Sequence, residues 1–568
     1  MAVDLKKLHQ RWEMLVEKRR PWISTWKDLA ALYLPTGYRD ADDGNARGGK
    51  NLLNPEVVDS TGIYALRTLA AGMQGGMTSP ARPWFGLRLE GGESGDGGIT
   101  ARAWIDEVVE RMRTILHTSN FYGVIYQAYA QLAAFGTACV FERADMSGFT
   151  FDCCQAGTFV LDVDAGGRVD TVMRKIWLTA RQMAQEFGED ALPDMVKTSL
   201  NNASIGNVRH AVFHAVYPRR EPGLRRETIN GARRPFASVY WMRGMSGAGG
   251  YHPLRESGFD SFPFFGVRWN VLSGDVYGTS PAMDTMPDCR MLQQMAKTTL
   301  KGVHKMVDPP VNVAAELQSV GVDLTPGGVN YVSMMGGNNG AAVTPVLKVQ
   351  PDVAAAQAMI QQVQQQIKEG LYNDLFRMLL GTNRRQITAT EVDAREAEKM
   401  ILIGPVLERL HDELFIPLID RTFALMDKFN ALPPVPEELA GRGLKVEFIS
   451  TLAQAQKLVS TGGIQQLLAF IGGAAQVDPS VLDALNGDRL VDKYNEYLGV
   501  DAGVLRPQEE REAIRERRAQ AQAQAAQQAQ AQAAMEQLPR AAKTLADTPM
   551  GGEQPSALDA LLGGIGGY

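Results

Sequence analysis

The chain has 568 residues, a formal charge of −6 and an apolar fraction of 45%, enough for roughly three to five domains and for one or more substantial cores. The acidic total excludes a protein that coats nucleic acid through a net basic surface, while leaving room for a local basic site. Four cysteines without a CxxC pair suggest neither a disulfide framework nor a zinc site, and no apolar run nears the roughly twenty residues that span a bilayer.

With a charged, helical amino terminus in place of a signal peptide, the expectation is a soluble chain made in a reducing cytoplasm. From Leu5 to Leu34 an apolar stripe of helical period (Leu5, Leu8, Trp12, Leu15, then Trp22, Trp26, Leu29, Tyr33) predicts two helices broken at Pro21. The polar stretch from Thr36 to Lys50 holds a near match to a phosphate-binding loop, Gly44 to Lys50. Asn51 stands where the magnesium-binding Ser or Thr is required, and no hydrophobic strand precedes it, so a surface loop is the reading. Asn54 to Met77 predicts a helix with an Asn cap and Pro55 at its first position, rich in small residues that permit close backbone approach. Helices are then expected at about Thr100 to His117 and Phe121 to Phe135.

Strand signals follow at Thr137 to Glu142, Phe149 to Cys154, Thr158 to Asp162 and Val169 to Trp177, read as one antiparallel meander. A helix capped by Thr179 comes next, with further strands around Val208 to Tyr217, Ala237 to Arg243 and Phe264 to Trp269. His210 and His214 have metal-site spacing, but they lack the glutamate of HExxH and alternate like a strand, so ordinary sheet histidines are expected.

Two long helices organise the rest, Ala282 to Met306 and Asp352 to Leu380, around a turn-rich insertion with short β runs at Val311 to Ala314, Val329 to Val332 and Val343 to Val349. On the first helix Lys297, Lys301 and Lys305 share one face, toward something acidic or toward water, and Arg290 is its other cation. The second helix has a seam through Val353, Ala356, Ile360, Val363, Ile367, Leu371 and Leu375, and a glutamine-rich remainder suited to lie beside another copy. Arg384 and Arg385 lie in a loop between helices, where they could touch a phosphate backbone or be solvated. A capping box at Thr388 and Glu391 opens a helix to about Phe429.

A strand at Leu444 to Ile449, helices at about Ala453 to Ile471, Pro479 to Ala484 and Leu490 to Leu498, and a charged helix from Pro507 follow. Ala519 to Ala534 is only alanine and glutamine, helix-prone but without an apolar stripe, and from Pro539 the composition predicts disorder. Common catalytic signatures such as GxSxG, GxGxxG after a strand, HExxH and DxDxDG are missing, so no catalytic residue, metal or cofactor is expected.

Three stretches resemble the head-to-tail connecting (portal) proteins of short-tailed bacteriophages. They are Leu69-Ala-Ala-Gly-Met-Gln-Gly-Gly-Met-Thr-Ser-Pro-Ala-Arg-Pro-Trp-Phe85, Arg268-Trp269 with Gly274-Asp-Val-Tyr-Gly-Thr-Ser-Pro281, and Met286-Pro-Asp288. Weaker likeness runs from the first helix to Val500. The resemblance implies a mixed α+β, predominantly helical portal fold with wing, stem, clip and crown regions, assembled as a ring, usually of twelve. It implies a wing at 1–280, stem helices at 281–306 and 351–375, a clip at 307–350, a tunnel loop and wing return at 376–450, and a crown at 451–505. An Ala/Gln helix at 506–538, a candidate barrel segment, and a disordered tail at 539–568 would follow.

The implied role is a non-enzymatic channel at one capsid vertex for packaging and ejecting double-stranded DNA. The implied partners are further copies of the chain, the terminase large subunit, a tail adaptor, and the major capsid and scaffolding proteins, without a membrane. The place would be the virion, with assembly in the host cytoplasm. Arg290, Lys297, Lys301, Lys305, Arg384 and Arg385 are the channel candidates, because sliding DNA needs weak, sequence-independent contacts. The competing readings are a tail adaptor without a DNA role and a nucleotide- or DNA-processing enzyme built around Gly44 to Lys50.

Overall fold

In the computed structural model, the first of two compact units, Met1–Ser460, is described at residues 4–42, 57–89, 99–145, 148–202, 207–219, 234–244, 250–313, 321–323, 343–345, 352–379, 403–436 and 444–449. The second, Thr461–Tyr568, is described at 467–468, 470–474, 485, 487, 490–491, 510–511 and 513–528. Most of the described regular structure is helical, and the rest is antiparallel sheet.

Helix α1 (Leu5–Leu32) is continuous, capped by Asp4, whose carboxylate accepts from the Lys6 and Lys7 amides. The predicted break at Pro21 does not occur. Pro21 faces solvent, where water can satisfy the carbonyl that loses its amide partner, and both halves of the helix are held by buried residues. Leu8, Trp12 and Leu15 anchor the first half, and Trp26, Leu29 and Ala30 the second.

The first half of α1 lies on one face of a five-stranded antiparallel sheet of order β4-β5-β6-β7-β8, formed by Phe159–Val163, Val169–Thr179, Arg209–Pro218, Phe236–Arg243 and Tyr251–Phe259. Alternation in β6 sends Phe213 and Ala215 toward α1 and Val212 to the opposite face, which the short helices α5 (Ala180–Phe187) and α6 (Asp194–Asn201) cover. Thr179 forms a full capping box with Gln182 at the start of α5, as its position predicts. A separate three-stranded sheet has the order β3-β2-β9, from Gly148–Cys154, Thr137–Asp145 and Phe264–Arg268.

The predicted single meander is therefore two sheets. Between β3 and β4 the Ala156 amide donates to Gln131 Oε1 at 3.1 Å and its carbonyl accepts from Arg39 N at 2.9 Å in an isolated parallel bridge with Tyr38, so this backbone does not continue the ladder from β3 to β4. The strand β8 was not predicted, and neither was α6.

The main core gathers the second half of α1, helix α2 (Thr61–Met77), α3 (Ile99–Thr118), α4 (Phe121–Phe135) and the three-stranded sheet. It also takes in the roots of the long helices. Helix α2 begins at Thr61, not at Asn54, and the predicted Asn54 cap and Pro55 lie outside the described residues. Strand β1 (Phe85–Leu89) pairs with β12 (Leu444–Phe448), with Phe85 opposite Phe448. A helical run at 403–428, α11, contains a π turn at His411–Phe415.

Each predicted long helix is divided near its root. The first is α7 (Pro281–Asp284) and α8 (Met286–Val307), because Pro287 has no amide to continue the α7 ladder. The second is α9 (Val353–Gly370) and α10 (Asn373–Leu379), separated where Tyr372 takes a left-handed φ of 55°. Between α8 and α9, β10 (Val311–Val313) pairs antiparallel with β11 (Val343–Pro345). The predicted strand at Val329 to Val332 lies outside the described residues. So do the Gly44 to Lys50 loop, the Thr388–Glu391 cap, the tail from Pro539 and most of the helices predicted between 453 and 498. Within the second unit, 510–511 and 513–528 are helical and largely exposed, as alanine and glutamine propensity predicts.

Candidate functional site

The α8–α9 pair stands on a mount built from the stretches that carry the family resemblance. Gly136 closes α4 in a left-handed conformation (φ 71°), and a Cβ there would meet the Gly278 carbonyl oxygen at 2.2 Å. Glycine at both positions lets the two backbones cross. At that crossing the Gly278 amide donates to Thr137 Oγ1 at 2.9 Å and Ser280 Oγ donates to the Ala134 carbonyl at 2.8 Å. Ser280 also caps α7, with Pro281 next to it. The neighbouring Tyr277 is buried against Trp22 and Trp26, and its hydroxyl accepts from the Leu161 amide.

Arg268 and Trp269 clamp the same root from the other side. The Arg268 guanidinium and backbone amide both engage Glu413 of the π turn, with Nη2 at 2.6 Å from Oε1 and the amide at 2.9 Å from Oε2. Its Nη2 also donates to the Gly167 carbonyl at 2.7 Å, so a nearly buried charge is fully paired. Trp269 lies 6.1 Å, centroid to centroid, from Tyr372 at the α9–α10 break. On α2, Gly72 leaves room for Phe376 of α10, since a Cβ would fall 2.2 Å from its Cγ. Thr78, after α2, bonds the Tyr129 hydroxyl, and the buried Trp84 packs on Phe121 and Phe415.

On this mount α8 carries two distinct faces. Cys289, Leu292 and Gln293 are buried, whereas Arg290, Lys297, Lys301 and Lys305 are exposed. At about 100° per residue the four cations fall within roughly 80° of arc, about a third of a turn from the buried face. Arg290 is engaged at 2.7 Å with Asp28 of α1, both about half exposed, so it is a root contact and not an open cation. Among the described residues the three lysines have no ion-pair partner and form an open file of positive charge. Arg384 and Arg385 lie outside the described residues. On α9 the predicted seam is buried at Val363 and Ile367 and continues through Leu371 and Leu375, while Val353, Ala356 and Ile360 are half-buried.

A polar junction joins the two helices to α2, and spacing alone did not reveal it. Gln293 Oε1 accepts from the Val58 and Asp59 amides at 2.8 and 2.9 Å, and its Nε2 donates to the Asp59 carbonyl at 2.7 Å. From α9, Gln364 Nε2 donates to Asp59 Oδ2 at 2.7 Å, while Asp59 Oδ1 accepts from the Thr61 amide. Gln364 of the face expected to meet another copy is therefore used within the chain, and Gln365 likewise donates to Glu369 Oε1 at 2.9 Å. The one available signal was a polar Gln293 among Cys289 and Leu292 on an apolar helix face.

The histidine pair is a sheet feature, as predicted. Both lie on β6, and buried His214 touches Ser238 Oγ at 3.1 Å, accepts from Arg174 Nε at Nδ1 and stacks on Tyr240 at 3.8 Å. Burial and the Arg174 charge push its pKa well below the usual imidazole value, which keeps it neutral. Among the described residues no group of three or more His, Cys, Asp or Glu side chains could hold a metal ion, and all four thiols are free and buried. Among them, too, no helix is long and apolar enough to cross a membrane.

The sequence model for the bacteriophage head to tail connecting protein family matches residues 5–505, across both helices and their mount. The chain belongs to that family. It is similar to a probable portal protein of Bordetella phage BPP-1, 37% identical over 522 residues, which cover 91% of this chain and 92% of the relative. It is also similar to the portal protein of Salmonella phage epsilon15, 36% identical over 570 residues and 99% of each chain. For this connector family member, the stretches that carry the resemblance act as packing and hydrogen-bonding elements at the root of α8 and α9.

Proposed function

We propose that the chain is the portal of a phage head, a closed ring at one capsid vertex through which double-stranded DNA is packaged and later ejected. The observation that carries the reading is the one-sided lysine file on α8, open to solvent and raised on a rigid mount. Repeated around a ring, three lysines per subunit make a neutralising but sparse lining, and contacts to phosphate carry no base information, so a duplex can slide. In this reading α8 and α9 are the stem and 307–350 is the clip that docks the terminase and then the tail adaptor. Residues 376–450 supply the tunnel loop, with Arg384 and Arg385, and the return to the wing at 1–280. Residues 451–505 form the crown, and 506–538 extend it as a helical barrel. The virion is the site of action, after assembly with capsid and scaffolding proteins in the host cytoplasm.

The portal role needs no catalytic step in this chain. The purified protein is expected to turn over no nucleotide, and hydrolysis abolished by Lys50→Ala would instead establish the enzyme reading. The lysine file is tested by replacing Lys297, Lys301 and Lys305 together with glutamine in infecting phage. Ring yield should be kept while DNA per particle falls several-fold. Failed ring assembly would place the file at a subunit contact, and normal DNA content in particles with intact rings would remove it from the channel.

A further inference from the structure

Asp59 is one residue that hydrogen-bonds side chains of both long helices, α8 and α9, to the segment leading into α2. Gln293 from α8 holds the backbone on either side of it with three hydrogen bonds, and Gln364 from α9 holds its carboxylate. The other carboxylate oxygen is fixed by the Thr61 amide at the start of α2, so Asp59 cannot turn to follow either helix. The apolar contacts between α8 and α9 resist separation but tolerate sliding and rotation. Directional bonds from one helix to a backbone segment and from the other to its side chain remove that freedom.

We infer that Asp59, Gln293 and Gln364 are positioning residues that set the rotation of the α8–α9 pair on its mount, and with it the direction in which Lys297, Lys301 and Lys305 point. Burial favours this role. Gln293 lies on the face of α8 that packs inward, where an unsatisfied amide would be costly, so rotating the helix breaks three bonds at once. The lysine file lies on the same helix, from about one to about three and a half turns beyond Gln293, so a twist at the junction swings it through the same angle. The consequence for DNA rests on the channel reading above, whereas the orientation itself does not.

The test exchanges donor and acceptor. Gln364→Glu sets two carboxylates against each other, and adding Asp59→Asn restores one donor and one acceptor in the same place. Spin labels at Arg67→Cys in α2 and Thr298→Cys in α8, in full-length chains diluted among unlabelled ones, report the angle as a distance. The four native thiols are buried. A narrow distance distribution should shift and broaden in Gln364→Glu and return in the double exchange, with packaged DNA lost and recovered in parallel. A residue that only adds stability would lower the unfolding temperature and leave the distance in place, and that result would overturn the inference. Should Gln364→Glu fail to fold, Gln364→Ala removes the donor without adding charge, and an unchanged distance there is equally decisive. A distance that moves while packaging does not would keep the junction and contradict the DNA reading.

Discussion

At the scale of single residues, a buried ion pair is the point most sensitive to conditions. Glu142 of β2 lies 3.2 Å from Arg421 Nε of α11, with the Thr422 hydroxyl donating to its other oxygen and both charges almost wholly buried. Burial pushes the Glu142 carboxyl up to about 7, against the opposing pull of Arg421 and Thr422. The folded chain thus keeps a proton that the unfolded chain releases above its ordinary value of 4.5, so this group's contribution to stability falls as pH rises between those values. Glu142→Gln removes the slope. Thermal unfolding followed across that interval should show the variant gaining on the parent as pH rises, and parallel curves would mean the carboxyl does not titrate there. Arg421→Met leaves an uncompensated buried carboxylate, and above pH 7 it should cost about 3–5 kcal/mol, less at acid pH where Glu142 is protonated.

Between elements, the mount depends on close approaches and on one fully paired arginine. Gly72→Val drives a branched side chain into Phe376 and should destabilise by about 1–3 kcal/mol, with Phe376→Leu in the same chain recovering part of the loss in chemical denaturation. Full additivity of the two changes would refute the contact. Glu413→Ala frees the Arg268 guanidinium in a nearly closed site and should open the π turn, seen as faster amide exchange across 403–428. Unchanged protection there would show that the turn stands without its ion pair.

Sequence reading succeeded where the signal is local. The apolar periods of α3 and α4 and the capping box of α5 place those helices to within a residue or so. It failed where distant groups decide. Pro21 stays inside α1 because packing on both sides outweighs one lost hydrogen bond. The strand β8 contains Pro253 and Gly258, poor strand formers that an edge position tolerates, and β8 is an edge strand. At the candidate site the lysine spacing was plain in the sequence. The Asp59 junction was not, because its partners lie 234 and 305 residues away.

For the whole molecule, the mount and the family membership point the same way. An acidic chain presents a few lysines on one helix face, held by a root whose charges and backbone groups are satisfied. In the portal reading proposed above, such a part keeps its geometry while DNA slides past it, and it would form a channel once copies close around an axis. Imaging the purified full-length protein by negative-stain electron microscopy and counting subunits in class averages tests this most directly. Closed rings of about twelve subunits around an axial hole wide enough for a DNA duplex, roughly 20 Å across, are predicted, since cyclic head-to-tail contacts close only at a fixed count. Monomers or dimers persisting at high concentration would contradict the account.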